Sequence, residues 1–211
     1  MIDPLGGPAF WWPFIIGFAI SYLIGSIPFG LILTRIFGAG DLRTIGSGNI
    51  GATNVLRTGR KSLALGTLLL DALKGALPVW IGSYFGPDMA VIAGLGAIVG
   101  HCFPIWLKFK GGKGVATAAG VILTLTPLAG LLALVVFLVV VFITRYVSLS
   151  SLLSAVSAAP IAYVLGHVQQ AELYLLVALI IIIKHHENLR RLFAGKESKL
   201  SFSKTPPTEK V

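Results

Sequence analysis

The stretch GVATAAGVILTLTPLAGLLALVVFLVVVFIT, residues 114–144, runs for 31 positions without a charge. A helix needs about 20 apolar residues to cross the hydrocarbon core of a bilayer. The stretch is therefore too long for one comfortable crossing and short for two. At its centre, Thr124-Leu-Thr-Pro-Leu-Ala-Gly130 offers a turn, and a proline there ends one helix and starts the next. Read as a hairpin, this stretch gives the chain seven crossings; read as one span, it gives six.

The rest of the chain has the same character. Apolar stretches cover residues 4–34, 62–85 (interrupted by Asp71 and Lys74), 89–107, 146–166 and 168–184. Of the 211 residues, 55% are hydrophobic and only 12% charged, with a mean hydropathy of +0.88. A soluble domain of this size cannot hide so much apolar surface, and it would carry about 25% charged residues. The net charge is nevertheless +9. In so oily a chain this basicity marks a membrane surface, and nucleic acid is set aside as a partner. The single cysteine, Cys102, excludes an internal disulfide framework.

Charge asymmetry decides the number of crossings. With seven and the N-terminus outside, the outward segments hold Asp3, Asp88 and Glu172 and no lysine or arginine. The inward ones receive Arg43, Arg57, Arg60, Lys61, Lys108, Lys110, Lys113, Arg145 and the basic run from Lys184 onward. Six crossings would expel that last run to the outer face, against the positive-inside rule. The expectation is an all-α polytopic membrane protein with seven transmembrane helices, N-terminus outside and C-terminus cytoplasmic. Residues 1–200 form one membrane domain. Residues 201–211, with Thr205-Pro-Pro-Thr208 and no apolar periodicity, form a disordered cytoplasmic tail. The N-terminus has no basic region and no small-residue cleavage site, so it reads as a retained span. No internal repeat of the kind common in transporters is visible.

Three inward segments are dense in small and polar residues. In Thr44-Ile-Gly-Ser-Gly-Asn-Ile-Gly-Ala-Thr-Asn-Val-Leu-Arg-Thr-Gly59, Gly46, Gly48 and Gly51 permit close backbone approach, while Ser47, Asn49, Thr53 and Asn54 supply donors. Arg57 adds a planar cationic fork suited to phosphate, three residues beyond Asn54 and on the same helical face. In Gly100-His-Cys-Phe-Pro104 followed by Lys110-Gly-Gly-Lys-Gly114, Lys110, Gly112 and Lys113 form a glycine-rich cradle opening a helix. Free N–H groups at such a position favour an anion. It is not a nucleotide P-loop, since Gly114 follows Lys113 where serine or threonine belongs. The third segment runs from Lys184-His-His-Glu-Asn-Leu-Arg-Arg-Leu-Phe-Ala-Gly195 to Glu197, and in it His185 and Asn188 are three apart at the mouth of the last span. Arg145 with Ser148, Ser150 and Ser151 makes a smaller cluster, although helix-mouth serines often serve packing alone. Asp71 and Lys74 read as a neutralising clamp inside a span. His167 and Glu172 stand on the outward side, apart from the basic loops. There is neither a pair of carboxylates nor a metal-ligand cluster in the three segments, which disfavours two-metal phosphoryl transfer. The residues alone thus describe a membrane enzyme, or a transporter, of anionic phosphorylated substrates.

Ile45–Arg57, Gly100–Pro104 with Lys110–Thr117, and His185–Leu192 resemble the three motifs of the bacterial acyl-phosphate:glycerol-3-phosphate acyltransferases. Tyr22–Gly30 and Asp71–Pro78 are also similar to that family, and the likeness runs from about residue 14 to 199. It implies seven helices in the cell inner membrane with all three motifs cytoplasmic. It also implies formation of 1-acylglycerol 3-phosphate (lysophosphatidic acid) with release of phosphate, the first step of phospholipid synthesis. The donor is acyl-phosphate, with neither acyl-CoA nor acyl carrier protein used directly. No cofactor and no metal is called for. An acyl-phosphate is already activated, so positioning and charge stabilisation carry the catalysis. Ser47, Gly48, Asn49 and Gly51 are expected on the donor's phosphate; Arg57, Lys113 and the serines Ser148 and Ser151 on glycerol 3-phosphate. Asn54, Lys110 and Gly112 complete the binding loops. His185, oriented by Asn188, takes the attacking hydroxyl's proton, or a substrate phosphate oxygen takes it while His185 binds phosphate.

Overall fold

The computed structural model describes residues 7–200, and among them every regular element is helical. In chain order these are α1 (Gly7–Gly25), α2 (Phe29–Ile36), α3 (Ala52–Leu56), α4 (Lys61–Ser83), α5 (Pro87–Cys102), α6 (Val115–Leu125), α7 (Pro127–Thr144), α8 (Val147–Val164), α9 (Val168–Lys184) and α10 (His186–Phe193). Single 3-10 turns sit at Leu42–Thr44 and Ile105–Leu107. The expected tail at 201–211, like Asp3, lies outside the described residues.

The hairpin within residues 114–144 forms where the proline places it. Pro127 opens α7, a position where its missing N–H sacrifices no helical hydrogen bond. Thr126 at the junction is buried, its hydroxyl 2.7 Å from that of Tyr174. The first apolar stretch remains one crossing unit, Phe10–Ile36, but its helix is interrupted. It breaks at residues 26–28 into α1 and α2, because Pro28 cannot continue the hydrogen-bond ladder of α1. The Ser26 hydroxyl donates to the Leu23 carbonyl at 2.7 Å and accepts from Trp106 Nε1 at 2.6 Å.

Five units among the described residues are long and apolar enough to cross a bilayer: Phe10–Ile36, Lys61–Ser83, Pro87–Leu107, Pro127–Thr144 and Val147–Val164. A sixth arises when α9 is taken with α10, from which it is bent by 65°. Helix α6 has only 11 residues, about 16 Å of rise, roughly half the hydrocarbon thickness.

Helix α5 packs between α1 and α4, α6 lies on α4, and α8 lies between α7 and α9. Small residues make these approaches possible, as is usual where no water drives helices together. A Cβ on Gly75 of α4 would enter the backbone of Thr117 on α6, and one on Gly100 of α5 would enter that of Tyr22 on α1. Val79, Ile98, Val121, Tyr174, Val177 and Ile181 fill the interior. Large apolar side chains such as Trp80, Leu138, Phe142 and Leu175 face outward, as lipid-facing positions do. The two ends of the bundle differ. Gln169 and Asp88 hydrogen-bond at one. The other collects Arg57, Lys113, Arg145, Ser148 and Asn188.

Candidate active site

The first polar segment folds into a tight loop ahead of α3. Gly46 and Gly48 adopt φ of 55° and 67°, a region other residues reach only with strain. Asn54 organises the loop from beneath. It is 2% exposed; its amide nitrogen donates to the carbonyls of Leu42, Ile45 and Asn49 at 2.8–2.9 Å, and its Oδ1 accepts from the Ser47 N–H at 3.1 Å. Asn49 Oδ1 accepts from the Gly51 N–H at 2.9 Å, and the Gly48 N–H goes to the Ile45 carbonyl. The N–H groups of Ser47, Gly48 and Gly51 are thus spent on the loop itself. These N–H groups, which shape the turn, are not free for a ligand. What the loop presents is side chains. Ser47 and Arg57 are exposed, and the Arg57 stem crosses Gly46 so closely that a Cβ there would come 2.8 Å from Cδ.

The second segment is pinned to the end of α5. The Gly111 and Gly112 N–H groups donate to the carbonyls of Cys102 and His101 at 3.2 and 3.1 Å. A Cβ on Gly112 would strike the His101 ring, so the glycine run is required by packing as well as by any ligand. Lys184 braces the same corner: its Nζ donates to the Cys102 carbonyl at 2.9 Å and sits 4.8 Å over the Phe103 ring. Lys110 points to solvent and Lys113 is half-buried, its ammonium donating to Asn188 Oδ1. Burial, seconded by the nearby Arg191 charge, pulls the Lys113 pKa down to about 8.

At the α9–α10 bend, His185 is 3% exposed, and its Nδ1 lies 2.8 Å from the Ile181 carbonyl. A carbonyl can only accept, so Nδ1 carries the proton and Nε2 holds the lone pair. Burial lowers the His185 pKa to about 4, opposed by the Ile181 hydrogen bond and helped by the Lys113 charge. The ring is therefore neutral at physiological pH. Asn188 does not orient it, contrary to expectation; Ile181 does. Asn188 lies one turn further along and faces Lys113, with its Nδ2 donating to Glu197 Oε1 at 2.6 Å.

Glu197 is the residue that spacing does not reveal. The chain reverses at Gly195 (φ 66°) and returns the carboxylate to the cluster. Ser148 Oγ donates to it at 2.7 Å, and Arg191 Nε at 2.7 Å. Burial pushes the Glu197 pKa up, but the hydrogen bonds from Asn188, Ser148 and Arg191 prevail and hold it below the usual value. Its one available signal was being an acid inside a basic segment. Residues 198–200 continue as a strap: Ser198 accepts from Arg57 Nη2 at 3.0 Å, and the Leu200 carbonyl accepts from Arg145. Of the serines, Ser148 reaches the cluster. Ser150 and Ser151 donate at 2.8 Å to Tyr146 and Val147, four residues back in their own helix.

Arg57, Lys113, Ser148, His185 and Asn188 thus gather at one end of the bundle, although they come from four segments distant in sequence. Cations, neutral donors and an unprotonated imidazole nitrogen equip such a cleft to bind phosphates and accept a proton.

Comparison with known proteins gives this geometry a context. The profile of the family described as glycerol-3-phosphate acyltransferase matches residues 15–195. The glycerol-3-phosphate acyltransferase of Mesorhizobium japonicum is 54% identical over 186 residues, covering 88% of this chain and 95% of that one. The Brucella suis protein of the same name is 50% identical, covering 92% and 96%. Among solved structures, the chain is similar to PlsY (YgiH), an integral membrane glycerol 3-phosphate acyltransferase, in its glycerol 3-phosphate form. The TM-score is 0.85 at 38% identity, over 90% of this chain and 96% of that one. The lysophosphatidic acid form of PlsY matches with a TM-score of 0.84.

Proposed function

This chain belongs to the glycerol-3-phosphate acyltransferase family, and on that premise we propose that it moves the acyl group of acyl-phosphate to the 1-hydroxyl of glycerol 3-phosphate. The products are 1-acylglycerol 3-phosphate and inorganic phosphate, and the reaction commits carbon to phospholipid. The observation that carries this reading is that Lys113 feels the charge of Arg57 on one side and acts on the neutral His185 on the other, two cations suited to phosphate near one proton acceptor.

In this reading the exposed Ser47, with Asn49, attends the donor's phosphate. Arg57, Lys113 and Ser148 hold glycerol 3-phosphate with its 1-hydroxyl toward His185 Nε2. The hydroxyl oxygen attacks the acyl carbon, the bond from that carbon to the bridging oxygen breaks, and phosphate leaves with the electron pair. The hydroxyl proton passes to His185 Nε2. The low basicity of that imidazole suits it to hand the proton on to the departing inorganic phosphate, whose second ionisation lies near neutral pH and makes it the better sink.

The membrane arrangement that goes with this is seven crossings of the cell inner membrane by residues 1–200, N-terminus outside and C-terminus cytoplasmic. Support comes from the gathering of basic residues at one end of the bundle and the acidic Asp88 at the other. The short α6 then starts below the cytoplasmic surface, which sinks the Lys110–Gly114 loop to where a lipid-borne donor meets a soluble acceptor. Irregular backbone is tolerated at such depth when protein surrounds it.

The test is to give the purified protein labelled glycerol 3-phosphate with either acyl-phosphate or acyl-CoA. Labelled 1-acylglycerol 3-phosphate should form with acyl-phosphate alone. Product from acyl-CoA alone would overturn the donor, and product from neither would overturn the reaction.

A further inference from the structure

Beneath the Lys110–Gly114 loop, α4, α5 and α6 enclose polar side chains that acyl transfer leaves unused. Asp71 and Lys74 on α4, His101 on α5 and Thr117 on α6 are each at most 4% exposed. Lys74 Nζ lies 2.7 Å from Asp71 Oδ1 and donates at 2.7 Å to the Ile27 carbonyl in the α1–α2 break. The contact with Asp71 pairs opposite charges, so the carboxylate has its counter-ion. His101 Nδ1 and Thr117 Oγ1 lack a hydrogen-bond partner, and Asp71 Oδ1 has none beyond Lys74. Buried polar atoms are rarely left unpaired, because each forfeits its hydration for nothing in return.

The spacing says what would satisfy them. His101 Nδ1 and Asp71 Oδ1 are 3.8 Å apart, too far for a direct hydrogen bond and within the span of one water bonded to both. Thr117 belongs to the turn of α6 that packs on Gly75, one helical turn along α4 from Asp71. A carboxylate that accepts, a hydroxyl that does both and an imidazole nitrogen that takes either role give a water the two to four partners it requires. A metal ion suits the place poorly, because the Lys74 ammonium stands against the cluster's carboxylate.

The far edge of the His101 ring supports the loop. Gly112 lies on it with no room for a Cβ, hydrogen-bonded to the His101 carbonyl at 3.1 Å, and Lys113 follows directly. We propose that Asp71, His101 and Thr117 hold one buried water, and that this hydrated cluster positions Lys113 for its phosphate through His101 and Gly112. Asp71 and His101 are positioning residues, since neither reaches the cleft itself. Lys74 neutralises Asp71 and ties the cluster to the α1–α2 break, so four segments are held in register under one loop. The positioning half of this rests on Lys113 binding glycerol 3-phosphate, as read above; the water does not.

Two measurements decide it. A crystal structure of the full chain that resolves waters should show one within about 3.2 Å of both Asp71 Oδ1 and His101 Nδ1. A dry gap, or a direct Asp71–His101 hydrogen bond, overturns the site. Equilibrium binding of glycerol 3-phosphate, with thermal midpoints in detergent, tests the positioning. His101→Leu removes the water's partner and should weaken binding about tenfold, the loss of one hydrogen bond to a charged group, at an unchanged midpoint. His101→Asn restores a polar atom near Nδ1 and should recover binding to within about threefold of wild type. Wild-type binding by His101→Leu, or no recovery in His101→Asn, overturns the positioning role. Should the leucine variant not fold, Asp71→Asn, which keeps an acceptor, and Asp71→Leu, which removes it, make the same comparison. Failure of the wild type itself to bind glycerol 3-phosphate would instead sink the substrate assignment, with the water observation standing.

Discussion

Lys113 and His185 show how burial sets chemistry that residue type alone does not. Lys113, drawn down to about 8 chiefly by burial, is charged below that pH and loses its charge above it. In kcat/KM for glycerol 3-phosphate, a profile that reports the free enzyme, activity should therefore fall as pH rises through about 8. A limb set only by an ordinary lysine would lie near 10. Lys113→Ala should raise KM roughly 10- to 100-fold, the loss of one charge-assisted contact. His185, held near 4 by burial, stays neutral across the working range and should contribute no acid limb above about pH 5. His185→Gln should cost about 10²- to 10⁴-fold in kcat, the usual worth of a positioned base. Near-native turnover by that variant would mean that a substrate phosphate takes the proton. That the segments bearing Arg57, Lys113 and His185 share one end of the bundle was legible from the sequence because charge asymmetry announces a face. Asn54 and Ser151, expected among the binding residues, bond backbone carbonyls in the structure, since a polar side chain in a loop or helix mouth is equally able to serve the backbone. Glu197 was hidden because only the chain reversal at Gly195 brings it back.

Among the elements, α9 occupies Val168–Lys184, the residues its apolar run marks, and the 114–144 hairpin turns at Thr126–Pro127. Both are bounded by charge or proline, the punctuation that helices obey most strictly. The α1–α2 break was not foreseen, because a proline within an apolar run can be tolerated in membrane helices, and Pro13 and Pro78 are indeed carried inside α1 and α4. The loop between α5 and α6 was read for its ligand, whereas its glycines are also demanded by the end of α5. That has a consequence for Gly112→Ala. The added Cβ must displace the His101 ring or the loop, so KM for glycerol 3-phosphate should rise at least about tenfold with the donor's KM little changed. Equal rises in both would point to general unfolding of the corner.

Across the whole molecule, the paradox of an oily chain with a net charge of +9 resolves into polarity between two ends. The basic end carries the strap of residues 198–200, Arg57 and Arg145, and under the proposed function it doubles as topology signal and binding site. The central claim is that these are the same face. Sealed membrane vesicles of known orientation test it most directly, since glycerol 3-phosphate does not cross a bilayer unaided. With acyl-phosphate present in the membrane, inside-out vesicles should convert added glycerol 3-phosphate to 1-acylglycerol 3-phosphate, while right-side-out vesicles should do so only after permeabilisation. Equal conversion by intact vesicles of both orientations, or conversion by the right-side-out ones alone, would contradict it.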